Sequence, residues 1–160
     1  MVNAYRAYGV EKGKTYVVRI KPTTSLYWTY SYRFLVNFKA VKAYKNQSKK
    51  KARTIKAKKL MKGTIPAGSS KANWYKFNVK KNKTIRVTLK GETNGRLDVL
   101  LMHKVGKKTK KYTTTIYHSD KTTIEVSANR WIGIKTKGTW YIRVRGATKR
   151  SSGYYQILWK

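Results

Sequence analysis

The 160-residue sequence predicts an all-β protein: an antiparallel, jelly-roll-like β-sandwich with a β-hairpin ahead of it. Three observations carry this expectation. Apolar residues recur at every second position in most segments, the segments are rich in β-branched and aromatic residues, and Gly, Asn or Ser clusters separate them.

The segments follow in order. "KTYVVRIK" sets Tyr16, Val18 and Ile20 on one side and Val17, Arg19 and Lys21 on the other. "YSYRFLVNF" aligns Tyr32, Phe34, Val36 and Phe38. "NWYKFNV" aligns Tyr75, Phe77 and Val79, and "KTIRVTLK" aligns Ile85, Val87 and Leu89. "RLDVLLMH" is apolar on both faces, which predicts a central strand, and "KKYTTTIYH" has strand composition. "TTIEVS", "TWYIRVRG" and "GYYQILW" complete the series. Turns are expected near Asn82, across "GETNG" from Gly91, at Gly106, in "YHSDK", at Gly138 and before Gly153. About eight strands so spaced suit a sandwich or barrel.

Three parts are expected along the chain. "GKTYVVRIKPTTSLYWTYSYRFLVNF" from Gly13 echoes "GTWYIRVRGATKRSSGYYQILW" from Gly138. Residues 1–45 are therefore read as the closing strands of a preceding repeat, and the chain as a piece of an exported array. Residues 46–62, within the lysine-rich "YKNQSKKKARTIKAKKLMKG", read as a basic linker or short helix. Residues 63–160 make one complete sandwich.

Charge bounds the function. Lys and Arg total 39 against 5 Asp and Glu, a formal charge of +34. A surface of mixed charge would need no explanation, whereas a one-signed surface attracts polyanions and works against the compact state by self-repulsion. Arg19, Lys21, Lys76, Arg86, Arg143 and Arg145 fall on the outward phase of their strands, and Lys49, Lys50 and Lys51 lie in the basic stretch. If the strands are neighbours, these cations form one basic face. Trp140 and Trp159 fall on the core phase. Trp74 and Trp28 fall beside inward tyrosines, where an outward indole can stack on a sugar ring or a base; Trp131 has no clear phase.

Enzymatic constellations are nearly absent. Asp98 and His103 should point to opposite faces of one strand, and Asp120 near His118 suits a turn in which the carboxylate bonds a backbone amide. There is no phosphate-cradling glycine loop and no nucleophile elbow. The expectation is a non-enzyme without a cofactor. There is no cysteine, which removes disulfides and thiolate metal sites, and no run of about eighteen apolar residues.

From about Leu60 to Lys160 the chain resembles the bacterial pre-peptidase C-terminal domain family. The resemblance rests on "GTIPAGSSKANWYKF", "KNKTIRVTL", "GRLDVLLM", "GTWYIRVRG" and "GYYQILW". It implies a small accessory β-sandwich of secreted bacterial proteins, without catalysis, binding polysaccharide, protein fibres or the cell surface. Where acidic residues commonly precede the Trp-Tyr pair of the family, this chain has Lys71 and Asn73. Calcium sites of related sandwiches need several oxygens, so no metal is expected among five scattered acids.

Two functional classes stand beside each other at this point. One is an extracellular or cell-wall module binding an anionic polymer, wall teichoic acid or a sulfated glycan, through Lys and Arg with help from Trp28 and Trp74. The other is a nucleic-acid-binding β protein using the same groups on single strands. A structural spacer in a surface array is a third reading.

Overall fold

A computed structural model of the chain describes residues 6–20, 33, 35–38, 40–129 and 134–160. Among these residues there are seven strands and no helix. They are β1 (Arg53–Thr54), β2 (Met61–Ile65), β3 (Asn73–Val79), β4 (Ile85–Val105), β5 (Lys108–Val126), β6 (Gly138–Gly146) and β7 (Gly153–Trp159). They form one curled sheet in the order β1-β3-β6-β4-β7-β2, with β5 along the other side of β4.

The sheet becomes a sandwich because β4 serves two layers. Its first half, Val87 to Thr93, pairs with β7, and its second half, Leu97 to His103, pairs with β6. One layer is then β1, β3, β6 and the second half of β4; the other is β2, β7 and the first half. β5 follows β4 through both. The bend lies where Glu92 opposes Ser119 but Arg96 opposes Tyr117, so that Thr93, Asn94 and Gly95 face His118 alone. Extra residues on one strand bend it and raise its twist. Asn94 fixes the bend to the β6–β7 loop: its Nδ2 donates to Arg150 O at 2.8 Å, and its Oδ1 accepts from Ser152 N at 2.7 Å.

Sequence composition suggests a turn here, and the structure corrects it. From Ile85 on, "KTIRVTLK" and "RLDVLLMH" belong to one strand of 21 residues, and "KKYTTTIYH" and "TTIEVS" up to Val126 belong to one strand of 19. "GETNG" has turn residues because a bulge also needs them. "YHSDK" is the matching irregularity, with His118 at φ 52° and Asp120 Oδ1 accepting the Lys121 amide at 2.7 Å. The hairpin between the long strands does turn at Gly106, whose φ of 59° suits the first central position of a tight β-hairpin.

The inward phases meet between the layers. Phe77 of β3 stacks on Trp159 of β7 at 4.4 Å between ring centres, and Trp140 stacks on His103 at the same spacing. The Trp140 Nε1 donates to Thr136 O at 2.8 Å, so its one polar atom is satisfied. Both tryptophans are core residues, as their phase predicts.

A polar knot crosses the same core. The Tyr75 and Tyr155 hydroxyls lie 2.7 Å apart, and Asn73 Nδ2 donates to Tyr155 Oη at 2.8 Å. Gly63 makes room for it: a Cβ there would fall 2.5 Å from the Tyr155 hydroxyl. Burial holds the Tyr155 phenol well above its usual 10, with Tyr75 adding to the rise, and burial raises Tyr75 as well. The unfolded chain loses these protons near pH 10, at which the folded one keeps them. This part of the stability is therefore complete below about pH 10 and falls as pH rises beyond it. Tyr155→Phe should cost about 1–3 kcal/mol at neutral pH. In urea unfolding the gap to the wild type should narrow from about pH 9 to pH 11; a constant or widening gap contradicts the assignment.

The basic stretch is more than a connector. Asn46 bonds Trp74 in both directions, its O accepting the Trp74 amide at 2.7 Å and its Nδ2 donating to Trp74 O at 2.9 Å. Ile55 enters the core, and its carbonyl accepts Trp159 Nε1 at 3.2 Å. The sandwich thus begins upstream of Gly63, and no helix forms in the stretch.

The expected hairpin in residues 1–45 lies partly outside the described residues. Those described, 6–20, 33, 35–38 and 40–45, form no strand. Val17 is 88% exposed and Phe38 83%. Among the described residues of these segments Val18, Ile20, Leu35 and Val36 are exposed as well, and no strand pairs with them.

Candidate anion-binding faces

Strand register decides which cations share a surface. In the first layer Trp74 opposes Arg143, which opposes Leu100; Lys76 opposes Tyr141, which opposes Met102; Arg145 opposes Asp98. All of these point away from the core, because their neighbours Tyr75, Phe77, Ile142 and Val144 point into it. Lys76, Arg143 and Arg145 are thereby brought together around two aromatic rings.

The basic stretch adds to this face. Lys49 Nζ lies 4.7 Å from the centre of the Tyr141 ring, and the Arg143 guanidinium 5.9 Å from that of Trp74. Both distances allow a cation–π attraction. Trp74 is half-buried, so the Trp74–Tyr141 platform is partly open between its cations. Lys50 and Lys51 are exposed beside it in sequence. Arg143 is half-buried; desolvation, then Arg145, lowers its pKa while Asp98 raises it, and a guanidinium remains charged throughout. Its Nε is buried without a hydrogen-bond partner among the described residues.

Acids neutralise part of the set. Asp98 accepts from Arg96 at 3.2 Å and lies 3.5 Å from Arg145. Arg86 is ion-paired with Glu125, its Nε 2.7 Å from the carboxylate. Asp98 faces outward with these arginines, while His103 is buried against Trp140 with Nδ1 3.0 Å from Thr139 O. Acid and imidazole therefore stand on opposite faces of β4.

The expectation of one basic face is corrected. Arg86 lies on the outer side of the second layer, because β4 passes from one layer to the other. Lys62, Lys90 and Lys121 join it there, and the β4–β5 hairpin tip carries Lys104, Lys107, Lys108, Lys110 and Lys111. A groove of about 610 Å³ at the β3–β4 end is rimmed by Lys56, Lys80, Lys81 and Lys83 over Ile55 and Trp159. Arg19 is exposed outside any strand. Lys21, Trp28 and Trp131 lie outside the described residues.

Among the described residues, no three His, Cys, Asp or Glu side chains come together as metal ligands, and no helix is long and apolar enough to cross a membrane.

Comparison with known proteins agrees with the sequence resemblance. Residues 71–146 match the sequence model of the bacterial pre-peptidase C-terminal domain. Among solved structures, the pre-peptidase C-terminal domain of a collagenase from Bacillus anthracis is similar, with 18% identity and a TM-score of 0.46. The similarity covers 68% of this chain and 94% of that one. No curated protein matches the sequence. The matched span runs from just before β3 to the end of β6, taking in both long strands and Trp74, Lys76, Tyr141, Arg143 and Arg145 but not Lys49 to Lys51. Residues 71–146 therefore carry the sequence pattern of a bacterial pre-peptidase C-terminal domain.

Proposed function

We propose that the protein is a non-enzymatic extracellular module that attaches a bacterial surface or secreted protein to an anionic glycopolymer. Its family is a β domain often found in secreted proteases, an accessory to catalysis and not its seat. The observation that carries the reading is the first-layer face, where Lys76, Arg143 and Lys49 surround Trp74 and Tyr141. Cations alone attract any polyanion. Cations around open rings also suit a sugar ring that bears sulfate or phosphate, because the ring stacks while the charges pair.

Lys49, Lys50, Lys51, Lys76, Arg143 and Arg145 supply the charge, and Trp74 the stacking surface. Each contact is weak, and affinity comes from their number and from released counterions, so it falls with salt. Arg86 is secondary here, being on the other layer and already paired.

Competition at fixed ionic strength tests the reading. Wall teichoic acid and heparin should each displace a labelled heparin chain better than single-stranded DNA of equal charge. Trp74→Ala and Arg143→Gln with Arg145→Gln should each reduce that preference. A preference for single-stranded DNA that is lost with Trp74 would replace this reading by nucleic-acid binding.

A further inference from the structure

The second layer carries its own line of cations. Lys62 on β2 opposes Gln156 on β7, Gln156 opposes Lys90 on β4, and Lys90 opposes Lys121 on β5. One row perpendicular to the strands thus holds three exposed lysines across four neighbouring strands. Strands lie about 4.8 Å apart, so the row spans roughly 14 Å. Among the described residues, the ion pairs involve Arg86, Arg96 and Arg145 and none of these three lysines. Lys90 and Lys121 are directly opposite each other, a like-charge pair that destabilises a sheet; an anion laid across the row would relieve it. Glu92 is two residues further along β4, opposite Tyr154 and Ser119.

This row and the Trp74 face look in opposite directions. The Phe77–Trp159 stack and the Tyr75–Tyr155 hydroxyl pair join the layers through the core. Trp74 and Lys76 alternate with Tyr75 and Phe77, and Gln156 alternates with Tyr155 and Ile157, so each outer set points away from the other layer.

We infer that the domain is bivalent: the Lys62–Lys90–Lys121 row is a second site for sulfated or phosphorylated linear glycan, and the two faces cross-link separate polymer chains. The inference rests on the glycopolymer reading of the first face. It adds to it a function that one face cannot perform, the bridging of strands in a polymer layer. The second face has no tryptophan and no arginine in its row, so it senses charge spacing more than ring shape.

Calorimetric titration with a short heparin oligosaccharide, and light scattering with long heparin, test it on the full chain. The wild type should bind two oligosaccharides and make long heparin turbid. Lys62→Gln, Lys90→Gln and Lys121→Gln together should leave one site and abolish turbidity. The control Lys12→Gln, Lys14→Gln and Lys42→Gln removes equal charge from the N-terminal part and should keep two sites. Circular dichroism melts check that both variants fold. A wild type that binds one oligosaccharide and causes no turbidity overturns bivalency while leaving the first face intact. Equal loss in both variants assigns bridging to total charge and also overturns it. A wild type that binds no heparin at all sinks both readings.

Discussion

Trp140→Ala should lower the unfolding free energy by about 3–5 kcal/mol, the range for removing a large aromatic ring from a packed core. Trp140 is 1% exposed, lies parallel to the His103 and Phe77 rings, and donates its indole proton to Thr136 O. Truncation leaves a cavity between the layers and strips the Thr136 carbonyl of its donor. A domain of this size is stable by roughly 5–15 kcal/mol, so the variant should be near its unfolding point. The charge of +34 makes the consequence dependent on salt. Repulsion among exposed cations is screened as the Debye length shrinks from about 30 Å at 0.01 M to about 8 Å at 0.15 M. The variant should therefore be most compromised at low ionic strength and recover partly with salt. Trp74→Ala is the internal contrast: its ring is on the outer face and half-buried, and its loss should cost under about 1 kcal/mol. Urea unfolding of the two variants at two salt concentrations decides the matter, and similar losses would mean that the two rings are not differently placed.

The second large effect is on binding. Replacing Lys76, Arg143 and Arg145 by Gln removes three cations from one face while leaving the core phase untouched. Exposed ion pairs contribute up to about 1 kcal/mol each. Heparin affinity should fall by about 1–3 kcal/mol, roughly 5- to 150-fold. Arg145 should account for the smallest share, because Asp98 already lies 3.5 Å from it. Folding should be little changed: the Arg145 change leaves Asp98 its contact with Arg96, and the replacements reduce net charge.

Much of this architecture is legible in the sequence, for a physical reason. Alternation reports which side of a strand is buried, and Tyr75, Phe77, Val79, Trp140 and Ile142 lie in the core on the phase they show. Apolar residues on both faces of "RLDVLLMH" mark β4 as central, and Leu100 and Met102 are indeed buried on its outer side. What alternation cannot report is which layer a strand joins. β4 joins both, so Arg86 and Arg143, both outward, end on opposite sides of the sandwich. The Lys62–Lys90–Lys121 row is hidden for a related reason, since it exists only through the register of β2, β7, β4 and β5. The bulge at Thr93 to Gly95 is hidden because bulges and turns draw on the same residues. Only pairing with β5 and the bonds of Asn94 to the β6–β7 loop decide between them. The alternation of residues 14–20 reads as a strand, yet without a neighbouring ladder that stretch forms none.

The measurement that bears most directly on the central claim is the dependence of heparin affinity on salt concentration. It is to be compared among the wild type, the Lys76, Arg143 and Arg145 triple variant, and the Lys12, Lys14 and Lys42 triple variant. Counterion release makes the logarithmic slope proportional to the number of charges engaged. The first variant should bind more weakly with a shallower slope, and the second should match the wild type in slope. Identical slopes and affinities for the two variants would mean that total charge, and not the face assembled by β3 and β6, holds the polymer.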